Sequence, residues 1–105
     1  MAIASRVLHQ WHREFNAAVF HGELSTPILR SCVLPTDPAG RLLGLCWPEG
    51  ERIEIAADLE INEARATLLH EMVHQWQAEN DLPLDHGKVF AFWREVCRHL
   101  TGLII

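Results

Sequence analysis

Two histidines near the middle of the chain stand four positions apart, in the segment His70-Glu71-Met72-Val73-His74. On a helix, side chains at positions i and i+4 leave the same face about 5–6 Å apart at Cβ, so both imidazoles can bind one metal ion. Imidazole ligands and tetrahedral coordination suit Zn²⁺. Glu71 directly follows the first histidine, where it can reach a water on the metal without itself binding the metal. The pattern predicts a zinc site with His70 and His74 as ligands.

A catalytic zinc needs a third protein ligand and keeps its fourth position open. The helix continues for about 9 Å beyond His74, and the connection from its end to His86 can span about 17 Å. The chain can therefore return far enough for His86 to reach the metal. A thermolysin-like arrangement would instead take a glutamate from the following helix, and Glu95 could fill that role. Asp85 and Glu79 are the remaining alternatives. The spacing favours His86 and leaves Glu95 open.

Three helical segments are predicted to position these residues. Apolar side chains recur at helical spacing within residues 3–20, and the next helix extends from a cap at Asn62 to about Asn80. The third helix covers residues 86–100, with Asp85 as its cap. The zinc-binding pair therefore lies in the middle of the second helix, and His86 lies at the start of the third.

Between the first two helices, the sequence predicts a small sheet. Residues 28–34, 41–47 and 52–56 are rich in β-branched and aliphatic side chains and are separated by turn signals. We expect an α+β fold in which an N-terminal helix precedes a three-stranded antiparallel sheet, the active-site helix and a C-terminal helix. The length of 105 residues predicts one domain over residues 1–105.

Composition excludes several function classes. The chain has 9 basic and 14 acidic residues, a net charge of −5, which gives no general attraction to phosphate backbones or anionic lipids. No apolar run approaches the roughly 18 residues of a membrane span, and the N-terminus does not resemble a signal peptide, so a cytoplasmic location is expected. The chain has three widely spaced cysteines and no CxxC pair, so we interpret the cysteines as buried thiols.

The two histidine motifs together resemble a known family. His70-Glu71-Met72-Val73-His74, followed by His86-Gly87-Lys88-Val89-Phe90, resembles the HExxH and HGxxF motifs of the SprT-like metalloproteases. Looser upstream similarity includes Phe15-Asn16, Gly44 and the strand before the second helix. The resemblance implies a minimal zincin fold, with Zn²⁺ held by His70, His74 and His86 and with Glu71 as the general base.

This resemblance implies a zinc-dependent metalloendopeptidase that hydrolyses peptide bonds of protein substrates with a zinc-activated water. Family members act on proteins crosslinked to DNA, so DNA association is implied as well, although the acidic composition does not support it. A zinc-binding adaptor or inactive protease-like module is the alternative, and a hydrolase of another amide or ester is a third class. For the residue that stabilises the oxyanion, His99, His21 and an arginine are candidates.

Overall fold

The computed structural model of the protein describes residues 3–105, apart from the side chain of Asp37. The elements follow in the order α1 (Ser5–Val19), β1 (Ile28–Cys32), β2 (Thr36–Asp37), β3 (Gly40–Arg41), β4 (Gly44–Cys46), β5 (Arg52–Ala56), α2 (Ile61–Glu79) and α3 (Lys88–Thr101). The α+β class is confirmed: three helices accompany a three-stranded sheet, and β2 and β3 form a separate two-stranded hairpin.

All three predicted helices are present, but two of the predicted caps are wrong. The second helix begins after Glu60, whose carboxylate accepts a hydrogen bond from the Glu63 amide at 2.8 Å, so Asn62 lies within the first turn. The third helix begins after Gly87. Asp85 caps no helix; its carboxylate accepts a hydrogen bond from the Gly87 amide at 3.1 Å and so shapes the loop before α3.

The predicted antiparallel sheet is a mixed sheet with the order β1-β5-β4. β4 and β5 form the predicted antiparallel hairpin, but β1 pairs with β5 in parallel. The predicted strand over residues 41–47 is also divided, because Arg41 belongs to the small hairpin and only Gly44–Cys46 joins the sheet. Residues 33–51 supply the long connection that a parallel pair requires. This order puts β5, with Ile53 and Ile55 fully buried, in the centre of the sheet.

α2 is the central helix of the fold, because it packs against α1, α3, β4 and β5. Its side chains Leu68, Leu69, Met72 and Val73 are fully buried and form the middle of the hydrophobic core. Burial on this scale fixes the rotation of α2 about its axis, and hence the direction of the polar side chains that it carries. None of the helices within residues 3–105 is both long and apolar enough to cross a membrane.

Candidate metal centre

The structure brings three histidine side chains to one point at the surface of α2. His70 and His74 lie one turn apart on this helix, and the loop after α2 turns back so that His86 approaches them from just before α3. The reversal begins where α2 ends, with Asp81 in a left-handed conformation at φ 57°. Within the described residues, these histidines are the one cluster of three or more side chains able to hold a metal ion.

Two of the distances between the imidazole nitrogens are close to those expected around a zinc ion. The Nε2 atom of His86 lies 3.1 Å from Nε2 of His70 and 3.2 Å from Nε2 of His74. Zn–N bonds of about 2.0–2.1 Å in a tetrahedral geometry would separate the nitrogens by about 3.3–3.4 Å. The Nε2 atom of His86 carries at most one hydrogen and could donate it to only one of its two neighbours. A cation among the three nitrogens would satisfy all of them.

A phenylalanine supports the three imidazoles. The ring centroid of Phe90 lies 4.7 Å from that of His70, 5.0 Å from that of His74 and 4.8 Å from that of His86. Phe90 is fully buried in the first turn of α3, so its position is set by the core. Aromatic contacts at this distance restrict the orientation of each ring. Packing against Phe90 therefore helps to hold the three histidines in position.

Burial also sets the protonation of the two histidines on α2. Loss of solvation, with smaller effects from His74, His86 and the positive charge of Arg94, lowers the pKa of His70 to about 4. Burial lowers the pKa of His74 as well. Both imidazoles are therefore neutral at neutral pH, and a neutral imidazole has the free lone pair that binds a metal.

Glu71 lies beside the three histidines in the same cleft, which has a volume of about 710 Å³. Its side chain is only 6% exposed, and burial raises the pKa of its carboxyl to about 7. The chain approaches it closely at Gly44 on β4: a Cβ atom at that position would lie 2.9 Å from Oε2 of Glu71 and 2.8 Å from Cγ2 of Thr67. The absence of a side chain at Gly44 lets the strand pack against the carboxylate.

The alternative third ligands lie in other interactions. Glu95 is on an exposed part of α3, where its carboxylate pairs with Arg98 at 2.9 Å. Glu79 accepts hydrogen bonds from the Ser25 amide and the Gln75 side chain, and Asp85 accepts its bond from Gly87. The structure therefore places His86, and none of these carboxylates, with His70 and His74.

The candidate donors for the oxyanion are also placed by the structure. His21 is exposed just beyond α1, and His99 is exposed in the last turn of α3; neither lines the cleft. The guanidinium of Arg94 lies 5.2 Å from the centroid of the Phe90 ring, and its charge acts on His70.

With this geometry established, the sequence was compared with known proteins. A protein-family model described as the SprT-like family matches residues 8–105. The chain belongs to the SprT-like family. Comparisons with curated proteins and with solved structures gave no match. The family match covers most of α1 and all of the sheet, α2 and α3, and so includes all three histidines and Glu71 of this SprT-like chain.

The sequence analysis does not include Gln77 among the site residues, and it names Gly44 and Phe90 only as parts of the family resemblance. Gln77 is completely buried and contacts His74, which its spacing of three residues from that histidine could have indicated. The role of Gly44 depends on how β4 packs on α2, and no local pattern carries that information. Phe90 was noted only within the HGxxF motif, although its separation of four residues from His86 is a helical contact spacing.

Proposed function

We propose that this SprT-like chain is a zinc-dependent metallopeptidase that hydrolyses peptide bonds of protein substrates. The observation that carries the proposal is the convergence of the His70, His74 and His86 nitrogens in a cleft that also contains the buried carboxyl of Glu71. Three imidazole ligands leave the fourth position of a tetrahedral zinc open, which is the arrangement of catalytic rather than structural zinc sites.

Zn²⁺ at this position would lower the pKa of a water molecule to about 7 and polarise the carbonyl of the scissile bond. Glu63 and Glu71 both line the cleft, but only Glu71 is buried, and we assign Glu71 the role of general base. It takes a proton from the attacking water and passes it to the leaving amine. Glu71 follows His70 directly in the chain and lines the same cleft as the three histidines, which is the position that this role requires.

The edge of the sheet supports a peptide as the substrate. β4 is an edge strand beside the cleft, and its residue Leu45 is paired with Glu54 of β5. Because the direction of main-chain groups alternates along a strand, the N–H and C=O groups of Gly44 and Cys46 point away from β5. An extended peptide can add to such an edge through main-chain hydrogen bonds, with little demand on its side chains.

The walls of the cleft are largely apolar. They include side chains from the β4 region, from the loop after α2 and from the end of the described chain: Leu42, Leu43, Leu45, Leu84, Ile104 and Ile105. Walls of this kind favour substrates whose side chains next to the scissile bond are apolar, as in unfolded segments of proteins.

The experiment that tests the proposal is an unbiased peptide-cleavage screen by mass spectrometry. The zinc-loaded protein is compared with Glu71→Gln, which keeps the shape of the side chain and removes the base. We expect cleavage by the wild type, enriched at apolar residues, and loss of cleavage in Glu71→Gln at equal zinc content. Equal cleavage by both proteins would remove Glu71 from the base role. Zinc binding without any cleavage by the wild type would support the alternative, a zinc-binding adaptor.

A further inference from the structure

A buried amide connects the two sides of the candidate metal centre. Gln77, on the last full turn of α2, is 0% exposed. Its Oε1 atom lies 2.7 Å from Nδ1 of His74, and its Nε2 atom donates a hydrogen bond to the main-chain carbonyl of Asp85 at 3.1 Å. One side chain thus contacts both a histidine of α2 and the loop that carries His86.

The Asp85 carbonyl decides which tautomer His74 adopts. A carbonyl oxygen can only accept hydrogen bonds, so the amide of Gln77 must direct its NH₂ group toward Asp85. The oxygen of the same amide then faces Nδ1 of His74 and accepts a hydrogen bond from it. A neutral imidazole carries one hydrogen; with that hydrogen on Nδ1, the lone pair of His74 is on Nε2, the atom that faces His86 at 3.2 Å.

The same amide also holds the loop. The carbonyl that it binds belongs to the peptide group joining Asp85 to His86, so the hydrogen bond acts on the main chain directly before this histidine. The loop shows a second restraint at the same place, because the Asp85 carboxylate accepts a hydrogen bond from the Gly87 amide. The main chain on both sides of His86 is therefore fixed.

We propose that Gln77 is a positioning residue of the metal centre: it fixes the tautomer of His74 and anchors the loop that presents His86. The inference rests on the proposed metal site. Partners of this kind, which bind the second nitrogen of a metal-ligating histidine, orient the ring and raise its basicity, and their loss costs about 10–100-fold in metal affinity.

Zinc affinity, measured by competition with a chelator, tests the proposal in three variants. Gln77→Leu removes both hydrogen bonds, and we expect it to weaken zinc binding by about 10–100-fold. Gln77→Glu keeps an oxygen acceptor for His74 but loses the N–H donor to the Asp85 carbonyl, so we expect its zinc affinity to lie between those of Gln77→Leu and the wild type. The matched control is Gln75→Leu. Gln75 is an equally buried amide of α2, but it contacts His12, Ser25 and Glu79 and none of the three clustered histidines, so zinc affinity should stay within a few-fold of the wild type.

The proposal would be overturned if Gln77→Leu bound zinc with wild-type affinity, because Gln77 would then have no effect. It would also be overturned if Gln75→Leu lost as much zinc affinity as Gln77→Leu, because the effect would then be general to α2. A second measurement needs no variant: long-range ¹H–¹⁵N correlation spectra of the metal-free wild type should show His74 protonated on Nδ1. Protonation on Nε2 would overturn the assignment even if Gln77→Leu failed to fold. A wild type that binds no zinc would refute the proposed function, whereas zinc binding that is insensitive to Gln77 would refute only this inference.

Discussion

The contact between Gly44 and Glu71 makes the substitution Gly44→Ala a sensitive test of the proposed base. The added methyl group would lie 2.9 Å from Oε2 of Glu71 and 2.8 Å from Cγ2 of Thr67, about 0.5 Å inside the 3.4 Å at which ordinary contacts begin. Thr67 sits on α2, where a threonine side chain is restricted to two χ1 rotamers. The carboxylate of Glu71, at the end of a longer side chain, would move instead.

The expected loss of activity in Gly44→Ala follows from these distances. A misplacement of about 1 Å in a catalytic group can cost about 10²-fold in rate, so a shift of about 0.5 Å predicts a loss of roughly tenfold in kcat. Overpacking against Thr67 should also lower the free energy of unfolding by about 1–3 kcal/mol. The three atoms nearest to the new methyl group belong to Thr67 and Glu71 rather than to a histidine, so zinc affinity should remain near that of the wild type.

The assay is steady-state cleavage of a peptide selected in the screen, together with urea unfolding and chelator competition. The double variant Gly44→Ala/Thr67→Ser separates the two contacts, because serine lacks the Cγ2 atom. We expect it to recover most of the stability and little of the rate. Wild-type kcat in Gly44→Ala, or full recovery of kcat in the double variant, would refute the reasoning that the strand positions Glu71.

The remaining predictions concern the third ligand, the buried His12 and the thiol of Cys46. His86→Ala should weaken zinc binding by more than the roughly 10–100-fold that an outer partner costs, whereas Glu95→Ala should leave the affinity unchanged; the reverse result would make Glu95 the ligand. Burial lowers the pKa of His12 from 6.5, so its contribution to stability is complete above pH 6.5 and is lost as the pH falls through the folded-state pKa. In urea titrations between pH 7.5 and pH 5, wild type should therefore lose more stability than His12→Gln, and parallel curves would contradict this. Burial and the charge of Glu71 raise the pKa of Cys46 to about 12, so this thiol should react with iodoacetamide at pH 8 only as the protein unfolds; rapid labelling of the folded protein would contradict that burial.

Much of the helical framework could be predicted from the sequence, because its signals are local. The apolar periodicity and the end signals put the three helices within about two residues of their observed ends. The caps were harder to predict, since Glu60 caps the helix by accepting from the Glu63 amide, two positions before the cap expected at Asn62. The choice between them depends on where the chain leaves β5, which is a tertiary property.

The sheet and the finer site geometry depend on long-range packing. Strand pattern alone does not distinguish a meander from the observed order β1-β5-β4, because both place apolar residues on one face of each strand. The local spacing of His70 and His74 was sufficient to predict that they share a helix face. The spacing did not decide between His86 and Glu95 as the third ligand. It also contained no information about Gly44, which approaches Glu71 only after β4 packs on α2.

X-ray absorption at the zinc edge of the zinc-loaded wild type tests the central claim most directly, because it reports the ligands of the metal itself. The structure predicts one zinc per chain with three imidazole nitrogens at about 2.0–2.1 Å and one oxygen from solvent. Three results would contradict the assignment of His70, His74 and His86 to a catalytic zinc. They are a sulfur ligand at about 2.3 Å, a carboxylate ligand in place of one of the three imidazoles, and a folded chain that retains no zinc.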